Sequence, residues 1–227
     1  MKLFGIRFAK GYYVSKLRDF PFYYFLCEYE GKRILLDVGF SDSKKAAVTG
    51  TTLFDVESEM KEVFGGKPSI DAVVITHRHF DHIEDIVKYE DCEVYMTGAS
   101  FEGVMAHGPE DVKEYLSRAQ GRGLLHASGC AGTVYDKFHL ELIGGHCEDS
   151  SVIHFEEGGK HYCITGDECF STKLFSRGIP SGGKMDPEKN EEFTKRGAKE
   201  GWIALPSHDS EMLKNFKRIS ENIVEII

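Results

Sequence analysis

No run of apolar residues in this chain approaches the roughly 20 that a helix needs to cross a bilayer. A helical membrane span is therefore not expected. The first residues, MKLFGIRFAKGYY, are interrupted by Arg7 and Lys10 and hold no long apolar stretch and no A-x-A site, so a signal peptide is not expected either. Six cysteines (Cys27, Cys92, Cys130, Cys147, Cys163, Cys169) are scattered without a C-x-x-C pair. A chain of 227 residues can build a core without disulfide staples, so these read as reduced thiols of a cytoplasmic protein. Positive charge is also short: 28 Lys and Arg against 37 Asp and Glu give a net charge of −9. Such a surface repels phosphate backbones and disfavours a nucleic-acid partner. There is no repeat, no low-complexity segment and no Gly/Ser/Pro linker, so residues 1–227 read as one domain. The GGK triplets at Gly65 and Gly182 lack the rest of a phosphate-binding loop.

What is present is an alternation of strand-like and helix-like segments. KLFGIRF, FYYFLCEYE and KRILLDV read as strands, the last two separated by a turn at Gly31. LFDVESEMKEVF has helical spacing and ends at Gly65-Gly66, as helices capped by glycine do. DAVVIT is a short apolar run of the kind found in buried strands. CEVYM, TVYDKFHLELI, SVIHFEE, HYCIT and GWIALP read as further strands. Helices are expected over 109–119, with Pro109 at the first helical position, and over 187–199. EMLKNFKRISENIVEI reads as a closing helix. The class is α/β or α+β with buried sheets.

The segment that carries chemistry is Thr76-His77-Arg78-His79-Phe80-Asp81-His82. His77 and His79 are two residues apart at the end of an apolar strand, so their side chains leave on the same side. Asp81 and His82 follow where the chain must turn. Three imidazoles and a carboxylate in six residues form a donor set that borderline divalent metals prefer. Plainer readings exist. The histidines could be hydrogen-bonded core residues, and Asp81 could cap a helix, with Glu84 three residues on as in a capping box. His146, Asp167 and His208 each follow small or turn residues just past a strand-like run, where loops converge on sites. Of the other histidines, His139 and His154 fall inside strand-like runs, while His107 and His126 bracket a segment that could face substrate. Cys147 and Cys169 lie beside candidate ligands and read as small buried thiols.

The set T-H-x-H-x-D-H, then G-G-H, G-D and S-H, with Asp37 in ILLDVG, resembles the metallo-β-lactamase superfamily from about Leu35 to His208. The resemblance implies a four-layer αββα sandwich with its site along one edge. It implies two divalent ions, zinc by expectation with iron or manganese as alternatives. His77, His79 and His146 would hold one, Asp81, His82 and His208 the other, and Asp167 would bridge. Asp37 would accept a hydrogen bond from a ligand imidazole. Class-B β-lactamases lack the bridging Asp, and flavodiiron members place a carboxylate at the position of His79. Glyoxalase-II-like thioesterases and tRNA-processing nucleases share all seven ligands. The spacings, 64 residues from His82 to His146, 21 more to Asp167 and 41 more to His208, are most similar to N-acyl-homoserine lactonases. Those enzymes resemble D-x-x-Y after the bridging Asp, where this chain has Phe170, which cannot donate a hydrogen bond.

The expected function is therefore hydrolysis of a lactone, ester or thioester carbonyl in a small molecule, with Asp81 shuttling a proton. Phe170 is expected to line the substrate pocket or, alternatively, to be core under a following helix. A di-iron redox or oxygen-binding protein and a non-catalytic metal-bound sensor are the competing classes. A homodimer is compatible with the sequence.

Overall fold

The computed structural model describes residues 1–11, 20–66 and 68–227. The first sheet is built by β1 (Lys2–Gly11), β2 (Phe20–Tyr29), β3 (Lys32–Leu36), β4 (Thr52–Leu53), β5 (Ala72–Val74), β6 (Glu93–Thr97) and β7 (Leu125–Ser128). The second contains β8 (Ala131–Val134), β9 (Phe138–Leu142), β10 (Ser151–Glu157), β11 (Lys160–Gly166) and β12 (Ile203–Pro206). The chain then returns to the first sheet with β13 (Lys217–Arg218) and β14 (Ile223–Glu225), which close it beyond β1. Helices α1 (Ser43–Thr49), α2 (Val56–Phe64), α3 (Phe80–Ile83), α4 (Gly98–His107) and α5 (Glu110–Gly121) belong to the first half, and α6 (Thr172–Phe175), α7 (Pro187–Glu200) and α8 (Met212–Asn215) to the second.

The layering follows from strands that are apolar on both faces, as strands covered on both sides must be. Along β2, Tyr23, Phe25 and Cys27 enter the core between the two sheets, while Phe22, Tyr24 and Leu26 join an outer core. Leu35 of β3 and Val73 of β5 point outward with them; Ile34, Leu36, Ala72 and Val74 point inward. The outer core is covered by Val56 and Met60 of α2 and by Val112, Leu116 and Ala119 of α5. The second sheet repeats the arrangement. Ile153, Phe155, Ile164 and Leu205 face the first sheet, while Val152, Cys163 and Ala204 pack with Phe175 of α6 and Phe193 of α7. The order helices, sheet, sheet, helices is the expected four-layer αββα sandwich. Truncating a fully buried inward ring such as Phe25 or Phe155 to alanine would cost about 3–5 kcal/mol.

Several local expectations need correction. EMLKNFKRISENIVEI is not a closing helix: after the single turn of α8 the chain forms β13 and β14, and β14 pairs antiparallel with β1 at Phe4↔Glu225 and Ile6↔Ile223. Ile223 packs in the outer core and Val224 between the sheets, a two-residue alternation hidden inside a helix-like spacing. TVYDKFHLELI is a hairpin, not one strand. Three residues, 135–137, connect the strands; Tyr135 and Asp136 both have positive φ (50° and 51°), and the Lys137 amide donates to the Val134 carbonyl across the turn. Pro109 sits at the N-cap of α5 rather than its first turn. Among the described residues no helix is long and apolar enough to cross a membrane.

Candidate metal centre

Strand ends of both sheets supply the site. Parallel pairing of β3 with β5 brings Asp37 beside Thr76, since Asp37 lies one residue and Thr76 two residues past the paired strand termini Leu36 and Val74. The chain after β5 then turns through His77 and His79 into α3, which carries Asp81 and His82. From the second sheet, His146 follows β9, Asp167 follows β11 and His208 follows β12. The parallel β11–β12 pair sets Asp167 and His208 side by side. The capping alternative for Asp81 does not hold, because the N-cap of α3 is His79 and makes no side-chain cap bond.

All seven side chains converge, and they divide into two groups. His79 Nδ1 lies 3.0 Å from both His77 Nε2 and His146 Nε2, and Asp167 Oδ2 is 3.3 Å from His146 Nε2 and 4.0 Å from His77 Nε2. Asp167 Oδ1 lies 2.9 Å from His208 Nε2 and 3.2 Å from His82 Nε2, while Asp81 Oδ2 is 3.5 and 3.6 Å from the same two nitrogens. The single carboxylate of Asp167 thus sends one oxygen into each group. Donor separations of about 3.3 Å are what a tetrahedral ion with metal–nitrogen bonds of about 2.0–2.1 Å imposes on its ligands.

The surroundings fix which imidazole nitrogen faces inward. His82 Nδ1 is 2.7 Å from Asp37 Oδ2, and His208 Nδ1 is 2.8 Å from the carbonyl oxygen of Pro21. With their Nδ1 protons directed at these acceptors, both rings turn Nε2, the nitrogen a metal would take, toward Asp81 and Asp167. His77 Nδ1 is 3.1 Å from Thr76 Oγ1. Asp37 is itself held by the Thr76 amide at 2.8 Å and adopts a left-handed backbone (φ 59°), which Asp tolerates better than most residues.

The electrostatics fit a cation. Nε2 of His82 and Oδ1 of Asp167 are buried without a hydrogen-bond partner among the described residues, a costly state for polar atoms. Burial holds His77 well below the ordinary histidine pKa and also lowers His79. Burial opposes charge on His82 and His208 too. Asp81, Asp37 and Asp167 outweigh it at His82, which is held well above its usual value, and Asp167 and Asp81 push His208 up to about 9. Burial alone would raise Asp167, yet His208 and His82 bring it well below the carboxylate range. Groups of this chemistry, with donor atoms within 4.8 Å of one another, can hold metal ions; Cys147 also lies within that distance of His77, His79 and His146.

A pocket of ≈ 300 Å³ opens onto His79, Asp81, Asp167 and His208 and is walled by Phe20, Phe22, Phe80 and Phe170, with Thr49 and Thr51. Phe20 stacks on His208 with centroids 4.4 Å apart, and Phe170 meets the same ring edge-on at 5.2 Å. Phe170 is thus pocket wall, and α6 begins only at Thr172. His126 stands elsewhere, stacked on Tyr95 in a separate depression between β7 and β8, and His107 is not among the residues lining the metal-facing pocket. His154 is buried and bound to Glu141 at 2.7 Å. Phe20 and Phe22 were not anticipated as site residues. Their signal is the alternation of β2, which puts them on the face opposite Tyr23 and Phe25.

Residues 18–123 match the family model described as the metallo-beta-lactamase superfamily. That span contains His77, His79, Asp81 and His82; His146, Asp167 and His208 join them by geometry. This is a metallo-β-lactamase-fold protein. No curated protein matches its sequence. Among solved structures, the metallo-β-lactamase fold of this chain is similar to that of an N-acyl homoserine lactone hydrolase with the product N-hexanoyl-L-homoserine at its catalytic metal centre. The TM-score is 0.73 at 19% identity, covering 96% of this chain and 97% of that one. A dizinc quorum-quenching lactonase is similar with a TM-score of 0.62 at 18% identity, covering 92% and 79%. A hydrolase of the beta lactamase superfamily gives 0.69 at 17% identity, covering 91% and 86%. At such identities the likeness is one of fold.

Proposed function

We propose that this chain is a dinuclear metal-dependent hydrolase that cleaves a lactone, ester or thioester carbonyl of a small molecule. The observation that carries the reading is the division of Asp167 between two donor groups, Oδ2 toward His146 and Oδ1 toward His82 and His208. His77, His79 and His146 would hold one divalent ion and Asp81, His82 and His208 the other; zinc suits these donors best, with iron or manganese as alternatives. When bound, two such ions supply Lewis acidity at the carbonyl oxygen and a water acidified to near-neutral pH.

The chain's own side chains supply the rest. Phe20, Phe22, Phe80 and Phe170 exclude water and receive the apolar part of the substrate. Among the described residues no Lys or Arg lines the pocket. Asp81 lines the same pocket, and its carboxylate is the group we assign to carrying a proton to the leaving oxygen or sulfur. The neighbouring cysteines are poor nucleophile candidates. Burial pushes the Cys169 thiol up to about 11 and raises Cys147 further, so both stay protonated at neutral pH.

The test is a hydrolysis screen of lactones, esters and thioesters with the zinc-loaded chain, run beside its Asp81→Asn variant. Turnover that collapses in the variant supports the reading. Ligand binding without turnover would point to a sensor, and visible absorption from bound oxidised iron would point to redox chemistry.

A further inference from the structure

A second buried carboxylate stands directly beside Asp167. Glu168 is fully buried, and its carboxylate points away from both donor groups. Oε1 accepts the backbone N–H groups of Gly145 and His146, each at 2.9 Å, together with the hydroxyl of Ser150. Oε2 accepts the side-chain amide of Asn190 on α7 at 2.6 Å, and the same amide reaches the Glu168 carbonyl at 2.7 Å. Both oxygens are therefore occupied, and all their donors lie in the 145–150 loop or on α7. The packing leaves no slack: a Cβ at position 145 would stand 2.4 Å from Oε2 of Glu168 and 2.9 Å from Cβ of Asn190. This close approach requires the glycine that precedes His146.

We propose that Glu168 is a positioning residue that holds His146 in register with Asp167 and thereby sets the metal affinity of the His77–His79–His146 group selectively. The inference rests on the metal reading of the site. Its physical basis is connectivity. Asp167 and Glu168 are consecutive, so one rigid stretch of backbone carries both a ligand of each ion and the acceptor that clamps the backbone of a third ligand. His146 Nδ1 has no hydrogen-bond partner among the described residues, so its ring is not oriented through that nitrogen as His82 and His208 are. The backbone clamp at its own amide takes over that duty. The other group has separate anchors, Asp37 for His82 and the Pro21 carbonyl for His208, and Glu168 touches neither.

The experiment isolates each group. In a His208→Ala background only the His77–His79–His146 group can bind zinc well, and in a His146→Ala background only the other can. Zinc affinity is measured by chelator competition in each background, with and without Glu168→Ala. The expected result is a loss of about 10–100-fold in the first background, the range for groups that orient metal ligands, and under about 3-fold in the second. Glu168→Gln should restore most of the affinity in the first background, because its carbonyl oxygen can still accept from Gly145 and His146, and only the contact with the Asn190 amide, which also donates to the backbone carbonyl at 168, is lost. A readout independent of metal is amide hydrogen exchange of the zinc-free chain, where Glu168→Ala should accelerate Gly145 and His146 but leave the Thr76 amide protected. Equal losses in both backgrounds, or no loss in the first, would overturn the proposal while leaving the metal reading standing. Failure of the parent backgrounds to bind zinc at all would instead overturn the metal reading, and this proposal with it.

Discussion

Oδ2 of Asp37 lies 2.7 Å from Nδ1 of His82, and this contact decides which nitrogen of His82 faces Asp81 and Asp167. It follows that Asp37→Asn, which fits the same left-handed backbone, should act through the tautomer rather than through packing. An amide NH2 opposite Nδ1 would turn that nitrogen into an acceptor and move the proton to Nε2, where a metal must bind. Zinc affinity of the Asp81–His82–His208 group should fall by about 10–100-fold. Calorimetric titration in a His146→Ala background measures it; unchanged affinity would mean that Asp37 does not set the tautomer.

The same carboxylates make the zinc-free site pH-sensitive. His208 is raised to about 9 and His82 is held well above the usual histidine value. A histidine with a raised folded-state pKa contributes stability that is complete below its unfolded value of about 6.5 and is lost as pH rises through the folded value. The melting temperature of the zinc-free chain should therefore fall between about pH 7 and 9, and zinc loading should flatten that slope. His77, lowered by burial first and then by His82, works in the opposite sense: stability is lost as pH falls below about 6.5, where the unfolded histidine protonates and the folded one resists. Zinc binding at pH 7 should also release protons, detectable as a heat that depends on the buffer used. A heat independent of buffer would contradict the protonation of His82 and His208.

Phe170 meets Phe20 at 5.4 Å and His208 at 5.2 Å, both edge-on, on the wall of the pocket that opens onto His79, Asp81, Asp167 and His208. Phe170→Tyr adds a hydroxyl within this pocket. One hydrogen bond to a developing oxyanion contributes about 2–4 kcal/mol, so kcat on lactones should rise tenfold or more with little change in melting temperature. Parallel measurement on thioesters separates substrate classes. A lower melting temperature with flat kcat on both panels would show the hydroxyl to be merely an unpartnered burden.

The candidate ligands were legible because their side chains carry the signal: His77, His79, Asp81 and His82 lie within six residues, and His146, Asp167 and His208 each follow an apolar strand. The layering was legible from strands apolar on both faces. What sequence hid was pairing and backbone. The return of β14 to β1 is a contact between opposite ends of the chain, and local periodicity favours a helix there. The turn at Tyr135-Asp136 uses left-handed residues that are not glycine. Pro21 contributes through a carbonyl oxygen, which no side-chain pattern reports. Glu168 follows Asp167 like any polar loop residue until its burial and its four donors are known.

The most direct test of the central claim is zinc per chain, by elemental analysis of protein loaded with zinc and dialysed, in the parent and in Asp167→Ala. The parent should hold two zinc ions, and the variant should lose at least one of them together with nearly all hydrolytic turnover, because Asp167 sends one carboxylate oxygen into each donor group. A parent with well under one zinc, or a variant that keeps both ions and full turnover, would contradict the account.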